Sequence, residues 1–464
     1  MSIEAARAND LRHGIAMPFL ALARMIGPAG RRAASAPASA SEAAKPATQG
    51  HVLFVSRQRI IGRTNGSSAY LLDLAAAVRR AGFTPHLIQP SPDLMGRWPV
   101  MRLRPEMKAF ETHRIRGVAR LGSWVVTKDP GVCTDALRGL AVRAIARLGL
   151  EWRWLADRPR PYAIASAWTA DDHEFVCSRA MPEAGIVIAD YAFQAEAFDS
   201  LPGRRTAIIM HDLFHSRSAG ANGRDSVVQL DRSSEIALLS RAEAVIAIQA
   251  DEAHFVADHV PGTRPILAPM AVAPVREPQP GESRRLLFVG SNTAPNVVGL
   301  KWLFEAVWPR LQARTSGCRL DVVGSVAAGF TGSVPAGVAF HGLVDDLSPF
   351  YTRAGVVVSP LTFGSGLKIK LVEALAHGKP VVATSVTLQG VEAQCAQAVL
   401  CADDPALFAD AILSLDEPER RNELGIAALR AAREHFSPEV CHAQFVAWLS
   451  ERPHDGAATC RVAP

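Results

Sequence analysis

Two successive series of short apolar runs alternate with helical stretches along this chain, and one break rich in proline, AVAPVREPQPGES, separates them. The first series opens with HVLFVS, the helical SAYLLDLAAAVRRAG and TPHLIQ, then gives strand candidates at YAIASAW, GIVIADY, TAIIMHD, AVIAIQ and PILAPM. The second starts afresh with RLLFVGS, a helix through GLKWLFEAVWPRLQAR, CRLDVVGS, VAFHG, AGVVVSP, the helix LKIKLVEALAHG, PVVAT and AVLC. Strands that alternate with helices demand crossover connections, so each series predicts a parallel sheet covered on both faces. Prolines among charges in the break cannot continue either element, which makes residues 271–284 a linker. The fold class is therefore α/β, with two Rossmann-like domains facing each other across a cleft where ligands of such sheets bind. The expected boundaries are 51–272 for the first domain and 285–435 for the second. A helix at 436–452 is expected to pack back on the first domain.

The two ends read differently. Residues 1–50 are rich in Ala and Ser without periodicity and are expected to be disordered, as is a frayed tail at 453–464. GIAMPFLALARMIG is broken by Pro18 and Arg24, which argues against an export signal. No run reaches the roughly 18 apolar residues a spanning helix needs. The seven cysteines lack C-x-x-C spacing and suit a reducing cytosol, mostly as small core residues.

Charge is uneven. The chain is +5 overall, but Arg97–Arg160 holds fourteen Lys or Arg and six Asp or Glu, interleaved with Leu, Trp and Val. Such a run is either a solvated face or a surface drawn to anionic lipid headgroups.

The stretch AGVVVSPLTFGSGLKIKLVEALAHGKPVVAT carries the chemistry. A buried strand ends at Ser359, a loop with Gly364, Ser365 and Gly366 follows, and a helix starts near Leu367 and stops at Gly378. Glycines let backbone N–H groups approach a phosphate, and a helix start adds partial positive charge. Lys368 and Lys370 oppose the helix dipole, which a bound diphosphate would explain. Glu373 has two readings of equal weight: a carboxylate for two vicinal ribose hydroxyls, or a surface partner of Lys370.

This run, with RLLFVGSNTAPN and HGLVDDLSPFYTRAGVVVSP, resembles the carboxyl-terminal domain of the glycosyltransferase family 4 group, retaining enzymes of GT-B fold. The resemblance covers roughly residues 51–450 and is strongest from Leu286 to Glu392. It implies that Glu373 matches the second of two family glutamates, the one that binds ribose. The first would fall at Ser365, which is not acidic. Relatives that follow the strand-end glycine, here Gly290, with an Arg and a Lys neutralise the diphosphate with them. This chain has Ser291 and Asn296 there, with a Pro295–Asn296 pair that a subset of the family shares. Lys368 is then the first candidate for charge stabilisation and Lys370 the second.

In the first domain, TAIIMHD ends in His211 and Asp212, a pair similar to one at the same place in the family, facing the cleft to bond a sugar hydroxyl or assist the acceptor. Gly66 and Ser67 open a helix where relatives use a glycine-rich loop, although Ser67 or Ser68 capping the helix needs no ligand. Asp251 and Glu252 are expected to cap a helix, and Asp345 and Asp346 to begin one. The implied activity is transfer of a hexosyl group from a UDP- or GDP-sugar to a glycan or lipid-linked acceptor, as in bacterial-type surface polysaccharide synthesis. Front-face substitution, with the leaving phosphate taking the acceptor proton, requires no metal and no cofactor. Expected partners are the nucleotide sugar, the acceptor and an anionic membrane surface at Arg97–Arg160, not nucleic acid. The expected place is the cytoplasm, on the inner face of the plasma membrane. Two other readings stay open: an epimerase-like enzyme of the same fold, and a degenerate binding or scaffold protein.

Overall fold

The computed structural model describes residues 48–64, 66–91, 99–147, 163–215, 230–344, 346–364 and 368–451. The extension up to residue 47, the tail 453–464, Asp345 and three expected donor-loop residues, Ser365, Gly366 and Leu367, lie outside the described residues.

Ten described strands precede the proline-rich break: β1 (His51–Val55), β2 (Thr84–Gln89), β3 (Val100–Arg102), β4 (Thr112–Ile115), β5 (Val118–Leu121), β6 (Trp124–Thr127), β7 (Ala184–Asp190), β8 (Arg205–Met210), β9 (Ala244–Ala247) and β10 (Arg264–Leu267). Seven form a parallel sheet in the order β10-β9-β8-β7-β1-β2-β4. After the break come β11 (Glu282–Val289), β12 (Arg319–Val323), β13 (Val338–Gly342), β14 (Ala354–Ser359), β15 (Val381–Ala383) and β16 (Val399–Cys401), a second parallel sheet in the order β13-β12-β11-β14-β15-β16. Both belong to one compact unit that begins at Thr48.

Alternate residues of each central strand enter opposite cores. Val52 and Phe54 join the cluster under the Gly66–Arg80 helix, while Leu53 and Val55 join the cluster on the other face. Leu287 and Val357 likewise face one core of the second sheet, and Leu286, Phe288, Val356 and Val358 the other. Continuous apolar strands follow from this two-sided burial. It is also what made them legible.

Four local expectations change. YAIASAW is no strand: Ala163–Ala165 forms a single 3₁₀ turn, and the Ser166 and Ala167 carbonyls accept from the buried Arg57 guanidinium instead of a ladder partner. GLKWLFEAVWPRLQAR is a helix interrupted by a π-turn, Leu303–Val307, between Ala294–Trp302 and Trp308–Arg314. Pro309 has no N–H to continue an α-ladder, and the Trp308 N–H reaches back to the Leu303 carbonyl. The segment 437–452 holds two helices, Pro438–Cys441 and Ala443–Ser450. Phe445, Trp448 and Leu449 of the latter sit in the first sheet's core, and the Arg205 guanidinium lies 4.5 Å from the Trp448 ring centre. Finally, β3, β6 and β5 form an antiparallel three-stranded sheet inside the basic run, where no strands were expected. Gly117 turns the chain from β4 into this sheet and Gly122 makes the β5–β6 turn, at φ 71° and 61°.

Three buried histidines set the acid limit of this fold. Burial pushes His86 down to about 4 with His51 beside it, His442 to about 4 with Arg80 beside it, and His113 to about 3 with Arg120 beside it. Each takes a proton on unfolding once pH drops below 6.5, so its contribution is present above that value and is lost toward pH 4. Glu252, raised to about 7 by burial, and Asp73, also raised by burial, work in the opposite direction. Three depressed histidines outweigh them. A melting series should place Tm at pH 5 several degrees below that at pH 7.5, and a flat profile would contradict this balance.

Candidate functional site

On the second domain the site is built from the carboxyl ends of β11, β12 and β14. Gly290 follows β11, and a Cβ on it would lie 2.6 Å from the Phe288 ring. Gly324 follows β12 at φ 109°, and a Cβ there would lie 2.2 Å from the Gly290 carbonyl oxygen. Only glycines allow these two strand ends to come so close. Asn296 donates its amide to the Ser291 carbonyl (3.0 Å), Ser291 Oγ (3.2 Å) and Thr293 Oγ1 (3.0 Å). It therefore shapes the loop after Gly290 and leads into the Ala294–Trp302 helix.

Past β14 the chain reaches Gly364 at φ 130°. A Cβ there would lie 3.6 Å from Pro295 and 4.0 Å from Lys368 Cε. The start of the glycine loop, the start of the Ala294–Trp302 helix and the Lys368 arm thus converge. Lys368 is the residue before the Ile369–Ala376 helix, and burial pushes its ammonium down from the usual lysine range. A nearby anion would offset that cost.

Along the same helix, Lys370 Nζ lies 2.8 and 3.0 Å from the two Glu373 oxygens. The Tyr351 hydroxyl donates to Glu373 at 3.4 Å, and the buried Tyr351 ring stacks on His377 with centres 4.2 Å apart. Burial, with Glu373 alongside, raises Tyr351 well above the usual phenol value, so it stays a donor. The Lys370 partnership weighed from sequence is therefore present. It fixes a carboxylate on the exposed face of the helix.

The first domain supplies a second group. His211 follows β8, and its Nε2 lies 2.7 Å from Asp190 Oδ1, at the end of β7. Asp190 is fully buried, and its other oxygen accepts from Ser56 Oγ (2.5 Å) and Gln58 Nε2 (3.1 Å). Three strand ends therefore converge on one carboxylate, which orients the imidazole. The Tyr191 ring covers His211 at 4.1 Å between centres, and its hydroxyl donates to Ser67 Oγ at 2.8 Å. Tyr191 holds φ 76°, a left-handed backbone that costs a non-glycine residue about 1 kcal/mol or more. Strain of this kind gathers where a side chain must be aimed.

Ser67 and Ser68 lie within the first turn of the Gly66–Arg80 helix: Ser67 Oγ accepts from the Tyr191 hydroxyl, and Ser68 Oγ accepts from the Thr64 N–H at 3.1 Å. A Cβ on Gly66 would meet nothing within 4 Å. Asp212 lies next to His211, and its charge is one of those that raise Glu252. Glu252 does cap, accepting from the Ile248 and Gln249 N–H groups, and Asp346 accepts from Ser348.

The two groups adjoin. Ile369, at the start of the Ile369–Ala376 helix, packs against the first domain's core. Asp73, paired with Arg63 of the glycine loop, has its pKa raised by burial first, with the Glu373 charge also contributing. Gly290, Asn296, Gly364 and Lys368 therefore form one cluster, Lys370 and Glu373 line the adjoining helix, and Gly66, Ser67 and His211 stand on the first domain. Four residues were missed: Arg63, Asp190, Tyr191 and Tyr351. A lone Asp closing the apolar run GIVIAD was the available signal for Asp190. Nothing in sequence separates Tyr351 from a core aromatic.

No helix among the described residues is long and apolar enough to cross a membrane, and no group of three or more His, Cys, Asp or Glu gathers there as metal ligands would.

Residues 283–417 match the family described as glycosyl transferases group 1. A curated relative, an uncharacterized 44.6 kDa protein in the cps region of Klebsiella pneumoniae, is 24% identical over 140 residues, which cover 28% of this chain and 36% of that one. Among solved structures, TarM superposes with a TM-score of 0.53 at 9% identity, over 87% of this chain and 99% of that one. Sucrose-phosphate synthase from Thermosynechococcus elongatus gives 0.51 at 16%, over 86% and 98%. A glycosyltransferase from Rickettsia africae gives 0.50 at 12%, over 87% and 99%. At these identities the likeness is one of fold, and the fold is GT-B.

Proposed function

We propose that the chain transfers a hexosyl group, with retention, from a UDP- or GDP-sugar held by the second domain to an acceptor hydroxyl presented by the first. The observation that carries this reading is the placement of Glu373. A carboxylate held by Lys370 and Tyr351 stands one turn along a helix whose start meets Gly364 and Pro295. A carboxylate beside a glycine loop and a helix start can serve a ribose next to its diphosphate, and the family match over residues 283–417 supports the reading.

In this account the diphosphate lies over Gly290 and Gly364, against the start of the Ala294–Trp302 helix. Lys368 neutralises developing charge on the leaving group, and Lys370 shifts toward phosphate when Glu373 turns to the ribose. Arg63 adds a cation from the first domain where Ser291 and Asn296 provide none. His211, aimed by Asp190, bonds a sugar or acceptor hydroxyl. The leaving phosphate takes the acceptor proton, so neither metal nor cofactor has a role. A thermal-shift screen of nucleotides tests the donor half: UDP or GDP should raise Tm by several degrees at millimolar concentration, and indifference to both would overturn it.

We place the reaction in surface polysaccharide synthesis at the inner face of the plasma membrane, with a lipid-linked acceptor. The relative in a cps region supports the pathway. The outward face of the three-stranded sheet supports the location: Val100, Leu121 and Trp124 are 37%, 64% and 40% exposed, and Arg102 lies over the Trp124 ring. The protein should sediment with vesicles containing anionic lipid at low salt and be released at high salt. Absence from the pellet at low salt would remove the membrane part of the reading.

A further inference from the structure

A cavity of about 370 Å³ opens beside β4, the edge strand of the first sheet, within the size range of small-ligand sites. Four strand spacings separate β4 from β8, so it lies about 19 Å to the side of His211. Arg114, Arg120, Lys128 and Arg179 line it, and among the described residues no Asp or Glu does. Arg120 donates only to backbone carbonyls, of Gly122 (3.2 Å) and His113 (3.5 Å). Arg114, Lys128 and Arg179 have no carboxylate partner among the described residues. Four cations turned to one concavity, rather than paired around it, repel one another unless an anion joins them.

A second, independent observation concerns His113, which lines the same cavity. The Gln89 amide nitrogen donates to the Gln58 carbonyl, so Gln89 Oε1 is an acceptor, and His113 Nε2, 2.6 Å away, must be the donor. Nδ1 is then an acceptor, buried and without a partner. Burial, with Arg120 beside it, pushes the ring down to about 3, so it stays neutral at working pH. The cavity thus asks for an anion joined to a body that can lie against the apolar wall that Phe175 provides. Inorganic phosphate or a bare lipid tail meets only one of these demands.

We propose that this cavity binds an anionic sugar, a hexuronate or a phosphorylated hexose, as a unit of the acceptor glycan away from the reacting end. That it belongs to the acceptor rests on the glycosyltransferase reading. That it binds such a sugar does not, and can be measured without turnover.

Isothermal titration of the full chain with glucuronate, glucose 1-phosphate, glucose and inorganic phosphate tests it. At least one of the two anionic sugars should bind ten times more tightly than glucose or phosphate, and which one identifies the acid as carboxylate or phosphate. The Arg114→Glu/Arg120→Glu variant, shown folded by its circular dichroism melt, should lose at least about tenfold in affinity. Failure of both sugars to bind, phosphate binding as tightly as either, or an unaffected double variant would each overturn the proposal. Nucleotide binding, followed in a parallel titration with UDP and GDP, reports separately on the donor-site reading.

Discussion

Replacing Glu373 by Gln will lower kcat/KM for transfer by at least about 100-fold and remove most of the stabilisation given by the preferred nucleotide. Two hydrogen bonds from ribose hydroxyls to a carboxylate are worth about 1.5–3 kcal/mol each, which sets the size of the loss. An amide presents one acceptor and one donor to two donors, so one bond is lost and another is opposed. Glu373 also holds Lys370 at 2.8 Å, and loss of that pair must be separated from loss of the ligand. Lys370→Met breaks the same pair but keeps the carboxylate. It should keep the larger part of nucleotide affinity, whereas Glu373→Gln should not. Equal affinity in wild type and Glu373→Gln would show that the ribose lies elsewhere.

Asp190→Asn should reduce kcat by roughly 100-fold while leaving nucleotide affinity unchanged. Asp190 touches no ligand in this account. It is a positioning residue, whose oxygens collect His211, Ser56 and Gln58. An amide nitrogen in that place faces donors and frees the imidazole to turn or to change tautomer; losses of 10- to 100-fold are usual when such an orienting partner goes, and larger in some triads. Because Asp190 acts through His211, the two losses should not add. Asp190→Asn/His211→Ala should be no slower than His211→Ala. Additive losses, or a weakened nucleotide affinity in Asp190→Asn, would make Asp190 a structural residue only.

The parallel sheets were legible because two-sided burial writes itself as unbroken apolar runs. The antiparallel sheet at β3, β5 and β6 was not. Its strands are three or four residues long and one-sided, with Arg102, Leu121 and Trp124 turned outward, so neither alternation nor apolar length distinguishes them from a loop. The candidate residues of the second domain were readable as a contiguous motif, whereas those around His211 are not contiguous at all. Ser56, Asp190 and His211 stand 134 and 21 positions apart in consecutive pairs and meet only because β1, β7 and β8 are neighbours in the sheet. Sequence showed the histidine at a strand end. Only the sheet order shows what aims it.

One consequence concerns Ser365, where the resemblance would place an acidic contact to the donor sugar. With no carboxylate at that position, the proposed reading leaves contacts to the donor sugar to the first domain, through His211 and the residues around Ser67. Specificity for the donor sugar should therefore change more readily through first-domain substitutions than through the donor helix.

The central claim is transfer between two substrates, and acceptor-dependent release of nucleoside diphosphate tests it most directly. With the nucleotide sugar that stabilises the protein, purified wild type should release UDP or GDP only when a lipid-linked or glycan acceptor is added, and Glu373→Gln should release neither. Release that is equal without acceptor, or that persists in Glu373→Gln, would contradict the account.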